Sequence, residues 1–293
     1  MRTISKVDII FHGFLAALIV FSIVALSVDS LHPAWALLSI PALACYAVMA
    51  LRRPFRRRKL GAKPFPPGWR EILLRNVRYY RELDSGGRRR FEQDVGFFLA
   101  EQRFEGVAGV EVTDELRVLI AAGAAVLLHG RPEWELPRGH TILVYPDSFD
   151  EKFRVGDGGP FLGQMHGQGP IIISRKALLE GWRGSGDGSN VALHELAHLM
   201  DMKAARSDGV PRMLNPAATA AWLRLIHGEM EKVERHRSIL RSYAATNEAE
   251  FFAVAVENFF ERPREMRTHH AELYRALSQF FNQDPASRPR SAS

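Results

Sequence analysis

Val191-Ala192-Leu193-His194-Glu195-Leu196-Ala197-His198-Leu199-Met200-Asp201 decides how the rest of the chain is read. It sets His-Glu-x-x-His inside an apolar, helix-favouring run. Side chains four residues apart share one face of an α-helix. His194 and His198 can therefore grip one metal ion together, with Glu195 beside them as a base for a polarised water. This is the spacing used by zinc metallopeptidases. The plainer alternative is a buried helix with two incidental histidines, because three fixed residues arise by chance in about one per cent of chains this long. The setting favours the metal. Gly184, Gly186, Gly188, Ser189 and Asn190 form a flexible lead-in that ends in N-cap residues.

Composition narrows the ligands. Cys45 is the one cysteine, which excludes an intrachain disulfide and a Cys-rich zinc site. A zinc ion here must be held by His and carboxylate. The 293 residues allow one or two domains with a substantial core. The net charge of +6 is local, since Arg52, Arg53, Arg56, Arg57, Arg58 and Lys59 alone account for it. A pI near 9.7 therefore does not indicate a nucleic-acid partner, and none is expected.

The apolar residues are unevenly spread. Residues 9–28 form an uncharged run of about 20 residues, the length needed to cross a bilayer. Asp29-Ser30-Leu31-His32-Pro33 interrupts it, and residues 34–51 form a second uncharged run, where Pro41 is tolerable. Residues 1–51 thus read as a two-helix transmembrane hairpin. Arg2 and Lys6 precede it, the Arg/Lys cluster follows it, and its loop carries neither residue type. The positive-inside rule puts both ends in the cytoplasm, which implies a bacterial inner-membrane protein whose basic cluster rests on the lipid bilayer. A cleaved signal peptide ending near Ser27 and a soluble core hairpin are the competing readings. Residues 52–68, basic and then rich in Pro and Gly, read as a linker.

From residue 69 the pattern is that of an α+β domain, mainly helical with a small β-sheet. Helices are expected over 69–83, 88–102, from Thr113 to about 129, 216–237 and 265–281, with Gly86-Gly87 breaking the first from the second. Strands are expected over 104–112 and 141–145. Gly169-Pro170-Ile171-Ile172-Ile173 leads from glycines into a β-branched run. Pro170 cannot donate to a ladder, so this is an edge strand or the start of an ordinary one. An edge strand just before the metal helix is where a peptide substrate could add. His269 and His270 read as surface residues, and 286–293 as a disordered tail.

A catalytic zinc commonly has three protein ligands and a water. The metzincin third histidine is missing, because position 204 is Ala and position 201 is Asp where that pattern needs Gly. Residues 243–260 supply the next candidate. They read as a largely apolar helix capped near Thr246 or Asn247, with Glu250, Val254, Glu257 and Glu261 on one side. A buried carboxylate needs a partner. On spacing alone, Glu250 is as good a capping-box residue for Asn247 as it is a ligand.

His-Glu-Leu-Ala-His-Leu-Met-Asp at 194–201, Tyr-Ala-Ala-Thr-Asn-Glu-Ala-Glu-Phe-Phe-Ala-Val at 243–254 and Gly-Gln-x-x-x-Gln-Gly-Pro-Ile-Ile-Ile-Ser at 163–174 resemble the Mlc titration factor A family of zinc peptidases. These are gluzincin-like enzymes with a catalytic core similar to the anthrax lethal factor protease domain. The resemblance runs from about residue 69 to 285, with Tyr145-Pro146 and Gln283-Asp284-Pro285 included. It implies one Zn²⁺ per chain held by His194, His198 and Glu250, with Glu195 as general base and the Tyr243 hydroxyl at the reaction centre. It also implies a peptide or protein substrate, or alternatively a transcriptional regulator sequestered with little or no hydrolysis. The hairpin departs from the soluble family members. Asp201 and Glu257 are placed to orient ligand imidazoles, and a plain salt-bridge role fits each equally well.

Overall fold

The computed structural model describes residues 55–146, 170–184, 186–203, 206–207 and 216–288, with isolated helical positions between 13 and 24. Two compact units are distinguished, Met1–Pro64 and Phe65–Ser293. In the first, residues 55–61 are helical, where the composition suggests only a linker, and Ala62 N–H closes on the Arg58 carbonyl at 3.1 Å. The expected hairpin over 1–51 falls, apart from those isolated positions, outside the described residues. No helix among the described residues is long and apolar enough to cross a membrane.

The second unit is mainly helical around a three-stranded parallel sheet. It opens with α1 (Pro67–Asn76) and α2 (Arg78–Arg81). One helix is expected here, but Val77 is extended (φ −104°, ψ 96°) and fully buried, so the chain turns at that β-branched residue. The turn sets Tyr80 in the core, where its hydroxyl donates to Glu92 at 2.6 Å. In α3 (Ser85–Glu101) the glycine pair is not the break. Asp84 is the N-cap and accepts from the Gly87 N–H at 2.6 Å, so Gly86 and Gly87 lie inside the first turn.

β1 (Arg103–Gly106) is shorter than the expected strand because the chain reverses at Ala108 and Gly109, both with positive φ. Thr113 then caps α4 (Asp114–Leu128), almost all of which is buried. β2 (Thr141–Tyr145) is the central strand, parallel to β1 on one side and to β3 (Ile171–Ser174) on the other. Ile142, Val144, Ile171 and Ile173 face the core. β3 runs directly into α5 (Arg175–Arg183), whose first turn is capped by the Ser174 hydroxyl.

α6 (Val191–Asp201) carries the His-Glu-x-x-His motif and lies between α4 and α8 (Glu248–Glu261). The approach of α4 requires Gly123, since a Cβ there would come 3.1 Å from the Ala192 Cβ and 3.2 Å from Leu196 Cδ1. A short antiparallel pair, β4 (Met202–Lys203) and β5 (Arg206–Ser207), follows. α7 (Pro216–Glu234) buries Trp222, Ile226 and Val233 and ends before His236, which has positive φ.

The last expected helix is two, α9 (Pro263–His269) and α10 (Ala271–Phe281). His270 stands between them and is no surface residue: it is 1% exposed. Its Nδ1 meets Glu229 Oε2 at 2.5 Å and its Nε2 meets Ser238 Oγ at 3.1 Å, so the ring bolts α7 to the α9–α10 junction. Residues 286–288, expected as part of a disordered tail, are packed against the domain. Pro285–Ser287 form a 3₁₀ turn, and the Arg288 guanidinium stacks 3.9 Å above the Tyr79 ring.

Candidate metal centre

Burial of α6 is nearly complete. From Val191 to Met200, Glu195 alone is partly exposed. Its N-terminal end is fastened to α8. Asn190 Oδ1 accepts from the Leu193 N–H at 3.3 Å as the cap. The Asn190 N–H donates to Glu257 Oε2 at 2.7 Å, and its amide donates to Glu261 Oε1 at 3.1 Å. Gly188 enters this turn with φ +84°, and a Cβ there would meet Asn258 Oδ1 at 2.7 Å.

The two histidines four residues apart meet a single carboxylate from α8. Glu250 Oε2 lies 3.1 Å from His194 Nε2 and 3.7 Å from His198 Nε2. One ligand atom from each of the three residues falls within 4.8 Å of the other two. Four donors at tetrahedral corners, each bonded to zinc at about 2.0–2.1 Å, stand about 3.3 Å apart. The donor set and its spacing therefore fit such an ion.

Glu250 serves two roles at once. Its backbone N–H donates to Asn247 Oδ1 at 2.9 Å, which makes Asn247 the N-cap of α8. Its carboxylate goes to the imidazoles instead of back to the cap. Glu248, one turn-position away, pairs with His227 at 3.1 Å on the exposed side.

Glu257 is 1% exposed, and its Oε1 lies 2.7 Å from His194 Nδ1. His194 thus has a carboxylate at each ring nitrogen. Burial works against a charged imidazole, but Glu250 and Glu257 outweigh it and push His194 up to about 10. Burial likewise opposes ionisation of Glu250, yet the two imidazoles hold it well below the usual carboxylate range. Farther along α8, burial drives Glu261 up to about 7 against the bonds from Asn190 and Gly186.

Tyr243 sits on the 3₁₀ turn Ser242–Ala245, with its ring centre 6.1 Å from that of His194. Of the strand residues singled out from sequence, Pro170 is exposed, Ile171 and Ile173 point inward, and Ile172 is 39% exposed. β3 lies at an edge of the sheet among the described strands. Gly169 and the side chain of Asp201 fall outside the described positions.

The model for the glucose-regulated metallo-peptidase M90 family matches residues 51–282. The chain belongs to that family. It is 31% identical over 254 residues to an uncharacterised protein of Synechocystis sp., covering 79% of this chain and 89% of the relative. Proteins named Mlc titration factor A from Serratia proteamaculans and Yersinia enterocolitica are each 29% identical. These matches cover 75% of this chain in both cases, and 88% and 86% of the relatives.

Within this M90 chain the structure adds a residue that the motifs do not point to. Arg241 reaches into the centre from the loop before the 3₁₀ turn, with Nη2 2.5 Å from Glu257 Oε1. A single arginine in a connecting segment has no periodicity to betray it. The one hint available is its place two residues before Tyr243.

Proposed function

We propose that this chain is a zinc-dependent peptidase, tethered to a bacterial inner membrane by a hairpin of residues 1–51 with its catalytic domain in the cytoplasm. The observation that carries the reading is the convergence of His194, His198 and Glu250, from two separate helices, on a volume one metal ion would fill. Membership of a family named for metallo-peptidases supports it. When bound, zinc supplies Lewis acidity, making a water acidic near neutral pH and polarising a carbonyl.

The chain's own groups then have separable tasks. His194, His198 and Glu250 hold the ion. Glu257 accepts the His194 Nδ1–H, which fixes the tautomer that leaves Nε2 free for ligation. Glu195 is the partly exposed member of a buried helix, and so can meet a water from the solvent side. It accepts that water's proton as the water attacks the scissile carbonyl, and returns it to the leaving amine. The Tyr243 hydroxyl donates to the oxyanion. β3, at an edge of the sheet among the described strands, offers backbone groups along which an extended substrate can pair, with Ile172 turned outward.

Glu195→Gln in the purified full-length chain is the test. The variant is expected to bind zinc as the parent does and to lose chelator-sensitive cleavage of short chromogenic peptides. Parental turnover in that variant removes Glu195 from the mechanism.

A second reading draws on the relatives' name, Mlc titration factor A. In that reading the zinc domain sequesters a transcriptional regulator at the membrane and hydrolysis is minor. The Glu195→Gln chain would then still capture its regulator, and the parent would cleave peptides little or not at all.

A further inference from the structure

Glu257 is a buried carboxylate with four donors. The His194 Nδ1–H and the Asn190 N–H each reach it at 2.7 Å. The other two come from Arg241, whose Nη2 meets Oε1 at 2.5 Å and whose Nη1 meets Oε2 at 3.3 Å. Nη1 also lies 3.4 Å from the Ser189 hydroxyl, in the lead-in to α6. Nη2 stands 3.2 Å from His194 Nδ1, two donors turned on one oxygen. The same guanidinium is 5.9 Å from the centre of the Tyr243 ring.

These contacts bear on the direction of a ligand. The Asn190 N–H and the His194 Nδ1–H hold one oxygen each, and two single bonds leave the group room to twist about its Cγ–Cδ bond. A planar fork on both oxygens sets the plane of the group and therefore the lone pair offered to His194. The imidazole follows that lone pair, and its far nitrogen is aimed accordingly. The cation also offsets the cost of burying a carboxylate whose other donors, the Asn190 and His194 N–H groups, carry no charge once that ring is neutral and ligating. A lysine in this place lacks the second prong and the flat face toward Tyr243.

We propose that Arg241 is a positioning residue of the metal centre, acting through Glu257 to set the direction in which His194 presents Nε2. This rests on the reading of His194 as a zinc ligand.

The test is a zinc titration in competition with a chromophoric chelator, on the full-length chain and on Arg241→Gln, Arg241→Lys, Glu257→Gln and the Arg241→Gln/Glu257→Gln double variant. Thermal midpoints of the metal-free proteins are taken alongside. Glu257→Gln is expected to bind zinc about 10–100-fold more weakly, the loss seen when a ligand's hydrogen-bond partner is removed, and Arg241→Gln, one contact farther out, should lose affinity measurably but by no more than that. Arg241→Lys should recover only part of it. The double variant should bind no more weakly than Glu257→Gln alone, because Arg241 acts through that carboxylate. An arginine that merely braces the fold would lower the midpoint, and its loss would multiply with that of Glu257→Gln. Parental affinity in Arg241→Gln, or multiplied losses in the double variant, overturns the proposal. A parent chain that takes up no zinc overturns the peptidase reading itself, which the same titration reports separately.

Discussion

Glu250 joins two structural jobs that mutation can separate. Asn247→Ala removes the oxygen that accepts the Glu250 N–H at 2.9 Å and leaves the carboxylate in place. Loss of such a cap costs about 1 kcal/mol of stability. Glu250→Gln does the reverse: the N–H still meets the cap, but the anion 3.1 Å and 3.7 Å from the two imidazoles becomes a neutral amide. Removing a partner of a ligand weakens metal binding about 10–100-fold, so removing a charged ligand should cost more than about 100-fold, or above ~2.7 kcal/mol. Metal-free Glu250→Gln should also lose stability at neutral pH, because the parent carboxylate is held ionised by its partners. That contribution is present above the unfolded carboxylate value and disappears as pH falls. Zinc stoichiometry after dialysis and chelator competition give the first comparison, and metal-free thermal unfolding gives the second. The reasoning fails if Glu250→Gln keeps parental zinc affinity, or if Asn247→Ala loses zinc to the same degree.

Glu261 should show the opposite pH behaviour. Its folded value of about 7 lies above the ordinary 4.5, so the stability it contributes is complete below pH 4.5 and is lost as pH rises through 7. The gap converts to about 3 kcal/mol at face value, and partial solvent exposure brings it to about 1–2 kcal/mol. Relative to the parent, Glu261→Gln should therefore gain about that much more at pH 8.5 than at pH 4.5 in urea unfolding; an identical difference at both values contradicts this. His270→Ala strips one of two partners from Glu229, itself 3% exposed and still met by Lys232 at 2.6 Å, and should cost about 1–3 kcal/mol. Zinc affinity should be untouched, and a parallel loss of metal would show that α7 reports to the centre after all.

The parts of the fold that were legible from residues alone are those where one pattern dominates. Thr113 before Asp114 and Glu115, then an alanine- and leucine-rich run, could be little other than a capped buried helix. Residues 141–145 are an apolar, β-rich run, and in the structure they form a strand that buries Ile142 and Val144. Breaks inside helices were harder. Val77 and His270 interrupt helical spacing without glycine or proline, and each does so because its side chain is wanted in the core, a demand that only the tertiary neighbours reveal. The glycine pair misled in the other direction, since the Asp84 side chain turns a nominal breaker into a first turn.

At the metal centre, the spacing of His194 and His198 was sufficient to put them on one face. Spacing could not choose between cap and ligand for Glu250; in the structure its backbone N–H meets the Asn247 cap while its carboxylate faces the two imidazoles. Glu257 was placed on the correct side of its helix. Its partners Asn190 and Arg241 come from segments 67 and 16 residues away, beyond any periodic signal.

The tethering of α6 at Gly188 and Asn190 has a kinetic corollary. In small zinc-folded domains the loop that carries the ligands has no shape until the ion arrives, and stripping the ion dissolves the domain. Here both helices are fastened face to face by protein hydrogen bonds made outside the three candidate donors. Those bonds do not run through an ion, so removing and restoring zinc should leave the circular dichroism unchanged, and refilling should need no refolding step.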